Sequence, residues 1–208
     1  MAEKITGAIN PLDGRYFDKT RDLAPYFSEQ AMMKYRVMVE CEYLIALSAL
    51  GETALRKFTP EEIKTVRNIY EKFNTVSYEK IKKHEEKTNH DVKAVEYFIK
   101  DSLLETSLKD IAEWVHFALT SEDTNNVAYA LILTESMENV LMPKFQEICK
   151  ELGKLANTYK GVPMLARTHG QPASPTTFGK EMKVFAARIE RHSNILKNVR
   201  ISAKLNGA

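Results

Sequence analysis

The chain has 208 residues, of which 44% are hydrophobic and 28% charged, a composition typical of a soluble globular protein. Thirty Lys and Arg residues against 28 Asp and Glu residues give a formal net charge of +2, whereas nucleic-acid-binding proteins usually carry a clear basic excess. No apolar run approaches the ~18 residues that a membrane-spanning helix needs, and the N-terminus lacks the apolar core of a signal peptide. We therefore expect no nucleic-acid partner, no membrane association and a cytoplasmic location.

The cysteines and histidines argue against a disulfide framework and against a metal site. Cys41 and Cys149 both lie in apolar stretches with helical spacing, which is typical of reduced thiols in a cytosolic protein. No two histidines have the four-residue spacing of a helical zinc motif. The sequence also contains no Gly-rich phosphate loop and no serine in a nucleophile-elbow context.

In chain order, an irregular opening is followed by a series of predicted helices. Residues 10–16 combine Pro, Asn and an Asp-Gly pair, which indicates turns. Residues 59–62 read Thr-Pro-Glu-Glu, a capping box with proline at the first helical position. Apolar residues recur at helical spacing in segments 33–47, 63–73, 92–103, 108–119 and 127–137, and the charged segment 78–86 is also predicted to be helical.

The last third of the chain predicts two long helices joined by a polar loop. Apolar residues alternate spacings of four and three over 141–159 and over 178–199, the second helix extending to about residue 203. Residues 161–175 are interpreted as the loop, and no alternating run indicates a strand. We therefore predict an all-α fold. Residues 1–110 would form an N-terminal helical domain, and residues 111–208 would begin a central bundle of long helices.

Four polar segments could carry chemistry. His169 lies in Arg-Thr-His-Gly-Gln-Pro, residues 167–172, where it is either an exposed loop histidine or a general acid or base. Asn89, His90 and Asp91 stand at a helix start, where they could cap the helix or face an anionic ligand.

The other two segments have the same ambiguity. Thr120 and Ser121 open a run of seven polar residues at another helix start, where hydroxyls and backbone N–H groups suit a carboxylate or a phosphate. Arg15 and Tyr16 follow an Asp-Gly turn, and this pair is either a surface turn or an anion-holding guanidinium beside an aromatic ring.

Taken together and in this order, the four segments resemble the adenylosuccinate lyases of the fumarase/aspartase superfamily. The resemblance is carried by residues 13–16 (Asp-Gly-Arg-Tyr), 88–97, 120–126 and 167–180, and it runs along essentially the whole chain. Gly170 after the motif histidine, with Asn-His-Asp upstream, is similar to the adenylosuccinate branch; argininosuccinate lyases and fumarases typically have leucine after that histidine.

The resemblance implies a β-elimination that releases fumarate from adenylosuccinate, giving AMP, and from the succinyl-aminoimidazole carboxamide ribotide of purine synthesis. His169 matches the general acid, and Thr120 with Ser121 matches the residues that hold a succinyl carboxylate. Arg15 and Tyr16 match contacts to the nucleotide and its phosphate. Asn89, His90 and Asp91 match a further substrate-binding cluster.

The resemblance also implies a homotetramer with active sites built from three chains, and neither a metal nor an organic cofactor. The family's Ser-Ser-x-Met-Pro loop, whose serine acts as the base, has no counterpart in residues 1–208, about half the expected length. We therefore expect an N-terminal fragment that is inactive alone. The alternatives are another lyase of the superfamily or a non-catalytic helical scaffold.

Overall fold

The computed structural model describes residues 8–207, which form a predominantly helical fold with one small antiparallel sheet. The all-α fold class is confirmed, apart from that sheet. The helices are α1 (Phe17–Thr20), α2 (Ala24–Phe27), α3 (Glu29–Leu50), α4 (Pro60–Glu71), α5 (Thr75–Thr88), α6 (Asp91–Leu104), α7 (Ser121–Ser136), α8 (Met142–Thr158) and α9 (Phe178–Lys197), and the strands are β1 (Pro163–Thr168) and β2 (Gln171–Thr177). None of the helices in residues 8–207 is both long and apolar enough to cross a membrane.

The described chain divides into two compact units. The first comprises residues 8–134 with 202–207, and the second comprises residues 135–201. The predicted domains, residues 1–110 and 111–208, concern the organisation of the whole protein and stay a prediction.

Helix α3 organises the first unit because it buries side chains on two faces. It begins at Ser28, whose hydroxyl accepts a hydrogen bond from the Ala31 amide at 3.1 Å, and it ends at Gly51, which has the left-handed φ of 71°. One face joins the main core with α4, α5 and α6, and the other packs on α7 through a smaller cluster around Tyr35. The α3 residues of the main core are Met33, Val37, Cys41, Leu44 and Leu47.

The predicted capping box at the start of α4 is confirmed. Thr59 accepts a hydrogen bond from the Glu62 amide at 3.2 Å, and the Glu62 carboxylate accepts one from the Thr59 amide at 2.9 Å. The Arg56 guanidinium also donates to both oxygens of Glu62, at 2.8 and 2.9 Å. The hydrogen bonds from Arg56 and from the Thr59 amide lower the pKa of Glu62 to about 2.

The predicted helix over 108–119 is wrong. Lys109–Trp114 forms a 3₁₀ helix, and the chain then passes through two left-handed residues, His116 with φ of 64° and Ala118 with φ of 57°. Leu108, Ile111 and Val115 are nevertheless buried in the main core. The spacing of three residues from Leu108 to Ile111 suits a 3₁₀ turn as well as an α-helix, so this part of the apolar pattern does not separate the two.

The predicted polar loop over 161–175 is also wrong, because β1 and β2 form a hairpin there. Thr168 pairs with Gln171, so that His169 and Gly170 are the two turn residues. Both have positive φ, 49° and 77°, as a type I′ turn requires. The register shifts between Leu165 and Arg167, where the ladder contains an irregularity.

The second unit is held together by close packing of α8 against the start of α9. The Gly179 amide donates to the Tyr159 carbonyl at 3.0 Å, and a Cβ atom at Gly179 would overlap the Ala156 carbonyl oxygen and the Lys160 backbone. The ring of Tyr159 meets that of Phe178 edge to face, with centroids 5.4 Å apart. Helix α9 ends at Lys197, earlier than the predicted residue 203.

Candidate functional site

Arg36 connects two of the sequence-predicted segments. Its side chain lies within the first unit with only 6% of its surface exposed. Nη2 lies 2.7 Å from Oδ2 of Asp91, the first residue of α6, and Nε donates to Oδ1 of Asn125 in α7 at 2.9 Å. Burial acts to raise the pKa of Asp91, but the Arg36 charge and the Val92 amide outweigh it and lower that pKa.

Asn89 and His90 form the short connection between α5 and α6. Asn89 is left-handed with φ of 49° and ends α5, its amide donating to the Glu85 carbonyl at 2.7 Å. His90 caps α6, because its Nδ1 accepts a hydrogen bond from the Lys93 amide at 3.1 Å. An accepting Nδ1 leaves the ring proton of a neutral histidine on Nε2, which is thereby available as a donor to a ligand.

The start of α7 is organised by Asp123. Its Oδ2 accepts hydrogen bonds from the backbone amide and the hydroxyl of Thr120, at 2.8 and 2.9 Å. These bonds, the one from the Thr120 amide first, lower the pKa of the Asp123 carboxyl. Because the Thr120 hydroxyl is engaged as a donor, Ser121 offers the hydroxyl at this helix start that can turn toward an added carboxylate without breaking that bond.

Residues 202–207 lie against the same helix start. Asn126 donates to the Lys204 carbonyl at 2.8 Å and accepts from the Lys204 amide at 2.7 Å. Gly207 is so close to the Thr120 side chain that a Cβ atom there would overlap it. This segment therefore borders the candidate carboxylate site.

Behind α7 lies a buried polar cluster formed by Glu40, His116 and Thr124. Glu40 is 1% exposed, and its Oε1 accepts from the Thr124 hydroxyl at 2.7 Å and lies 2.6 Å from His116 Nδ1. The hydrogen bond to Glu40 raises the pKa of His116 above its usual value, against the opposing effect of burial. Glu40 Oε2 has no hydrogen-bond partner among the described residues.

His169 stands at the tip of the hairpin in the second unit. The residue is exposed, and within residues 8–207 no hydrogen bond or ion pair engages its side chain. The left-handed φ of His169, 49°, and the positive φ of Gly170 determine the direction in which the imidazole projects from the hairpin turn. The imidazole is therefore accessible to a ligand.

Arg15 and Tyr16 lie next to each other on an exposed turn of the first unit. The Arg15 guanidinium lies 5.4 Å from the centre of the Tyr16 ring, and Tyr16 is 45% exposed. Among the described residues of the first unit, no hydrogen bond or ion pair joins either residue to the segments at Asp91 and at the start of α7. The structure thus joins Asp91 and the α7 start through Arg36, whereas Arg15 and Tyr16 lie on an exposed turn outside that link.

A cavity of about 560 Å³ opens beside the Arg36–Asp91 pair. Its walls are mainly apolar and come from the region of α2, α3 and α7, including Tyr26, Met32 and Ile132. Asp91 is the one sequence-predicted site residue in its lining. Within residues 8–207, no three His, Cys, Asp or Glu side chains are grouped as a metal site would require.

Arg36 and Glu40 are not among the site residues predicted from the sequence. Both are charged residues inside the predicted apolar helix over 33–47, and they are one helical turn apart. Charged residues within an apolar helical pattern were the one feature of the sequence that could have marked these two positions as functional. Their partners, 55 or more residues further along the chain, could not be deduced from it.

A family model described as Lyase matches residues 14–208 of this chain. The chain belongs to the lyase family. Similar curated relatives include the adenylosuccinate lyase of Dictyostelium discoideum, 48% identical over 210 residues, and that of Legionella pneumophila (strain Corby), 46% identical over 217 residues. These alignments cover 97% and 100% of this lyase-family chain but 44% and 46% of the relatives, so the chain spans less than half of their length.

Solved structures show the same fold. Fumarate lyase from Mesorhizobium sp. BNC1 aligns with a TM-score of 0.73 at 22% identity, over 92% of this chain and 42% of that structure. The 3-carboxy-cis,cis-muconate lactonizing enzyme from Pseudomonas putida aligns with a TM-score of 0.74 at 17% identity, over 96% of this chain and 44% of that structure. At these identities the likeness establishes the fold of this lyase-family chain.

Proposed function

We propose that the full-length protein is an adenylosuccinate lyase that releases fumarate from adenylosuccinate and from the succinyl-aminoimidazole carboxamide ribotide of purine synthesis. The observation that carries this proposal is the 42–48% identity, over 97–100% of the chain, to proteins named adenylosuccinate lyase. The matched region includes every candidate site residue, from Arg15 to His169.

The elimination needs one base, one acid and fixed donors for charge. A proton leaves the carbon beside a succinyl carboxylate, the electron pair of the broken C–H bond forms the double bond of fumarate, and the C–N bond breaks with its electron pair going to the leaving nitrogen. That nitrogen must then receive a proton, for which His169 is the proposed donor. The exposed position of the His169 imidazole on the hairpin turn supports this role. By the family resemblance, the base is a serine from outside residues 1–208.

The start of α7, at Thr120 and Ser121, is the proposed site for a succinyl carboxylate. The Ser121 hydroxyl would donate to it, and Thr120, whose amide and hydroxyl bind Asp123, would fix the position of that helix start. Backbone N–H groups and the helix dipole at a helix start stabilise an anion. The reaction also builds negative charge on a carboxylate, and prearranged donors act most strongly on such charge. The Asp123 bonds that fix Thr120 support a prearranged geometry.

The remaining candidate residues are proposed to bind the rest of the substrate. His90, with its Nε2 free to donate, and its neighbours Asn89 and Asp91 would orient the reacting end of the substrate. Arg15 would hold the nucleotide phosphate, with Tyr16 against the nucleotide. The exposed pairing of Arg15 with Tyr16 leaves both able to meet a ligand from solution or from a neighbouring subunit.

The proposed assembly is a homotetramer in the cytoplasm, with no metal or organic cofactor. Large exposed apolar side chains on α8 and α9 support association, since apolar surface of this extent is usually covered. Ile148 is 46% exposed, Phe185 50% and Ile195 54%. Residues 1–110 would form an N-terminal domain, and residues 111–208 would contribute the first long helices of the shared bundle.

The experiment is a comparison of two substrates with the purified full-length protein. We expect kcat/KM for adenylosuccinate to exceed that for argininosuccinate by at least about a thousandfold, since a site built for one set of buried polar groups rejects an analogue that lacks them. A preference for argininosuccinate would point to another lyase of the superfamily. Turnover of neither substrate would favour a non-catalytic helical protein.

A further inference from the structure

We propose that Glu40 and Arg36, two buried charged residues of α3, are positioning residues that hold the starts of α6 and α7 in the geometry needed to bind substrate. The inference rests on the proposed function, because it takes these two helix starts to be substrate-binding. Neither residue belongs to the four segments that resemble the lyases, and neither is proposed to touch the substrate.

The geometry shows that one turn of α3 reaches both helix starts. Arg36 joins Asp91 of α6 to Asn125 of α7, at 2.7 and 2.9 Å. Glu40, one turn further along, binds Thr124 of α7 and His116, in the segment that leads into α7. Thr124 and Asn125 follow Ser121 within about one turn of α7, so any movement of Glu40 or Arg36 is transmitted directly to the proposed carboxylate site.

Stability alone does not account for these two charges. Burying a charge costs several kcal/mol unless it is well partnered, and apolar side chains of similar volume often serve stability as well or better. Glu40 is 1% exposed and Arg36 6%, and Glu40 Oε2 lacks a hydrogen-bond partner among the described residues. Two charges kept at such buried positions, each bound to two partners on other elements, indicate a requirement for specific geometry.

The segment before α7 supports the same conclusion. His116 and Ala118 both hold left-handed φ angles, 64° and 57°. Non-glycine residues adopt this conformation at an energetic cost and keep it only where the surroundings impose it. The Glu40–His116 contact at 2.6 Å is such a constraint, and it fixes the direction from which the chain enters α7.

The test uses a matched pair of substitutions at Thr124 in the full-length enzyme. Thr124→Val keeps the shape of the side chain and removes the hydroxyl that Glu40 holds, whereas Thr124→Ser keeps the hydroxyl. Val66→Ala, in the main core on α4, supplies a destabilised control remote from this contact. Thermal unfolding confirms that each variant is folded before kinetics are measured.

We expect Thr124→Val to raise the KM for adenylosuccinate at least about tenfold, since contacts to a substrate carboxylate contribute to ground-state binding. Thr124→Ser should restore KM to within about threefold of wild type, and Val66→Ala should leave it within about twofold whatever its loss of thermal stability. A KM for Thr124→Val within twofold of wild type, or an equal rise for Val66→Ala, would overturn the proposal.

A second variant and a second readout keep the test decisive. Arg36→Lys retains the charge but cannot donate simultaneously to Asp91 and Asn125 as the planar guanidinium does, and we expect at least about a fivefold rise in KM. Hydrogen exchange at the Asp123 and Thr124 amides should be at least about tenfold faster in Thr124→Val or Arg36→Lys than in wild type or Val66→Ala. Unchanged exchange would overturn the positioning role, even if the wild-type protein proved not to be an adenylosuccinate lyase.

Discussion

His116 Nδ1 lies 2.6 Å from the Oε1 atom of Glu40, so that a buried carboxylate and a left-handed histidine are bound to each other directly before α7. The hydrogen bond to Glu40 raises the pKa of His116 above its usual value. A raised pKa means that the folded protein holds the proton more tightly than the unfolded chain. The resulting stabilisation is complete below the pKa of the unfolded chain, near 6.5, and is lost as pH rises through the higher folded pKa.

We therefore predict that His116→Asn destabilises the protein more at about pH 6 than at about pH 9, where the wild-type ion pair is already weakened. Asparagine tolerates the left-handed backbone, so the substitution chiefly removes the charge. The expected loss at the lower pH is about 1–2 kcal/mol, the range for a hydrogen bond to a charged group. Urea unfolding at both pH values measures it. An equal loss at both would contradict a protonated His116.

Gly179→Ala should destabilise the second unit by about 1–3 kcal/mol, because the added methyl group would overlap the backbone at Ala156 and Lys160. Gly153→Ala is the matched control. It lies within α8 with nothing inside 4 Å of the added atom, and we expect it to be neutral or to stabilise by up to about 1 kcal/mol. Thermal unfolding measures the stability of both variants. A Gly179→Ala variant as stable as Gly153→Ala would argue against close packing of α8 and α9.

His169→Ala should lower kcat of the full-length enzyme by about 10²- to 10⁴-fold with a smaller change in KM, because a general acid acts in the transition state. His84 is a suitable control, since it is bound to Asp101 at 2.9 Å and lies outside the candidate segments. We expect His84→Gln to retain kcat within about threefold, as surface substitutions usually have small effects. Steady-state assays of adenylosuccinate cleavage measure kcat and KM of both variants. A near-normal kcat for His169→Ala would show that His169 is not the general acid.

Arg15→Ala should raise KM at least about tenfold while kcat changes little, because a phosphate contact contributes equally to ground-state and transition-state binding. Lys19, an exposed basic residue of α1 four positions along the chain, provides a control for the general loss of a positive charge. Lys19→Ala is expected to leave KM within about twofold. A reduced kcat at unchanged KM for Arg15→Ala would be inconsistent with phosphate binding.

Local signals in the sequence predicted the parts of the structure that local chemistry determines. The Thr59 capping box and the helical spacing of the α3 core residues are of this kind. The hairpin was missed because its turn is His169–Gly170 rather than Asn-Gly, and because its exposed strands contain prolines and show no apolar alternation.

The candidate site was predictable only as separate segments. Polar residues at a helix start or in a turn marked each segment, but the connection between Asp91 and the start of α7 runs through Arg36, and Glu40 binds Thr124 of α7. Those two residues look like interruptions of an apolar helix until their partners are known. Pairings over such sequence separations depend on tertiary packing, which no local pattern contains.

The most direct measurement of the central claim is product analysis after incubating the purified full-length protein with adenylosuccinate. We expect AMP and fumarate to appear in equal amounts, and the rate of release of both to fall at least about a hundredfold with His169→Ala. Absence of fumarate with the folded wild-type protein would contradict the proposed activity. Undiminished release by His169→Ala would contradict the assignment of the acid.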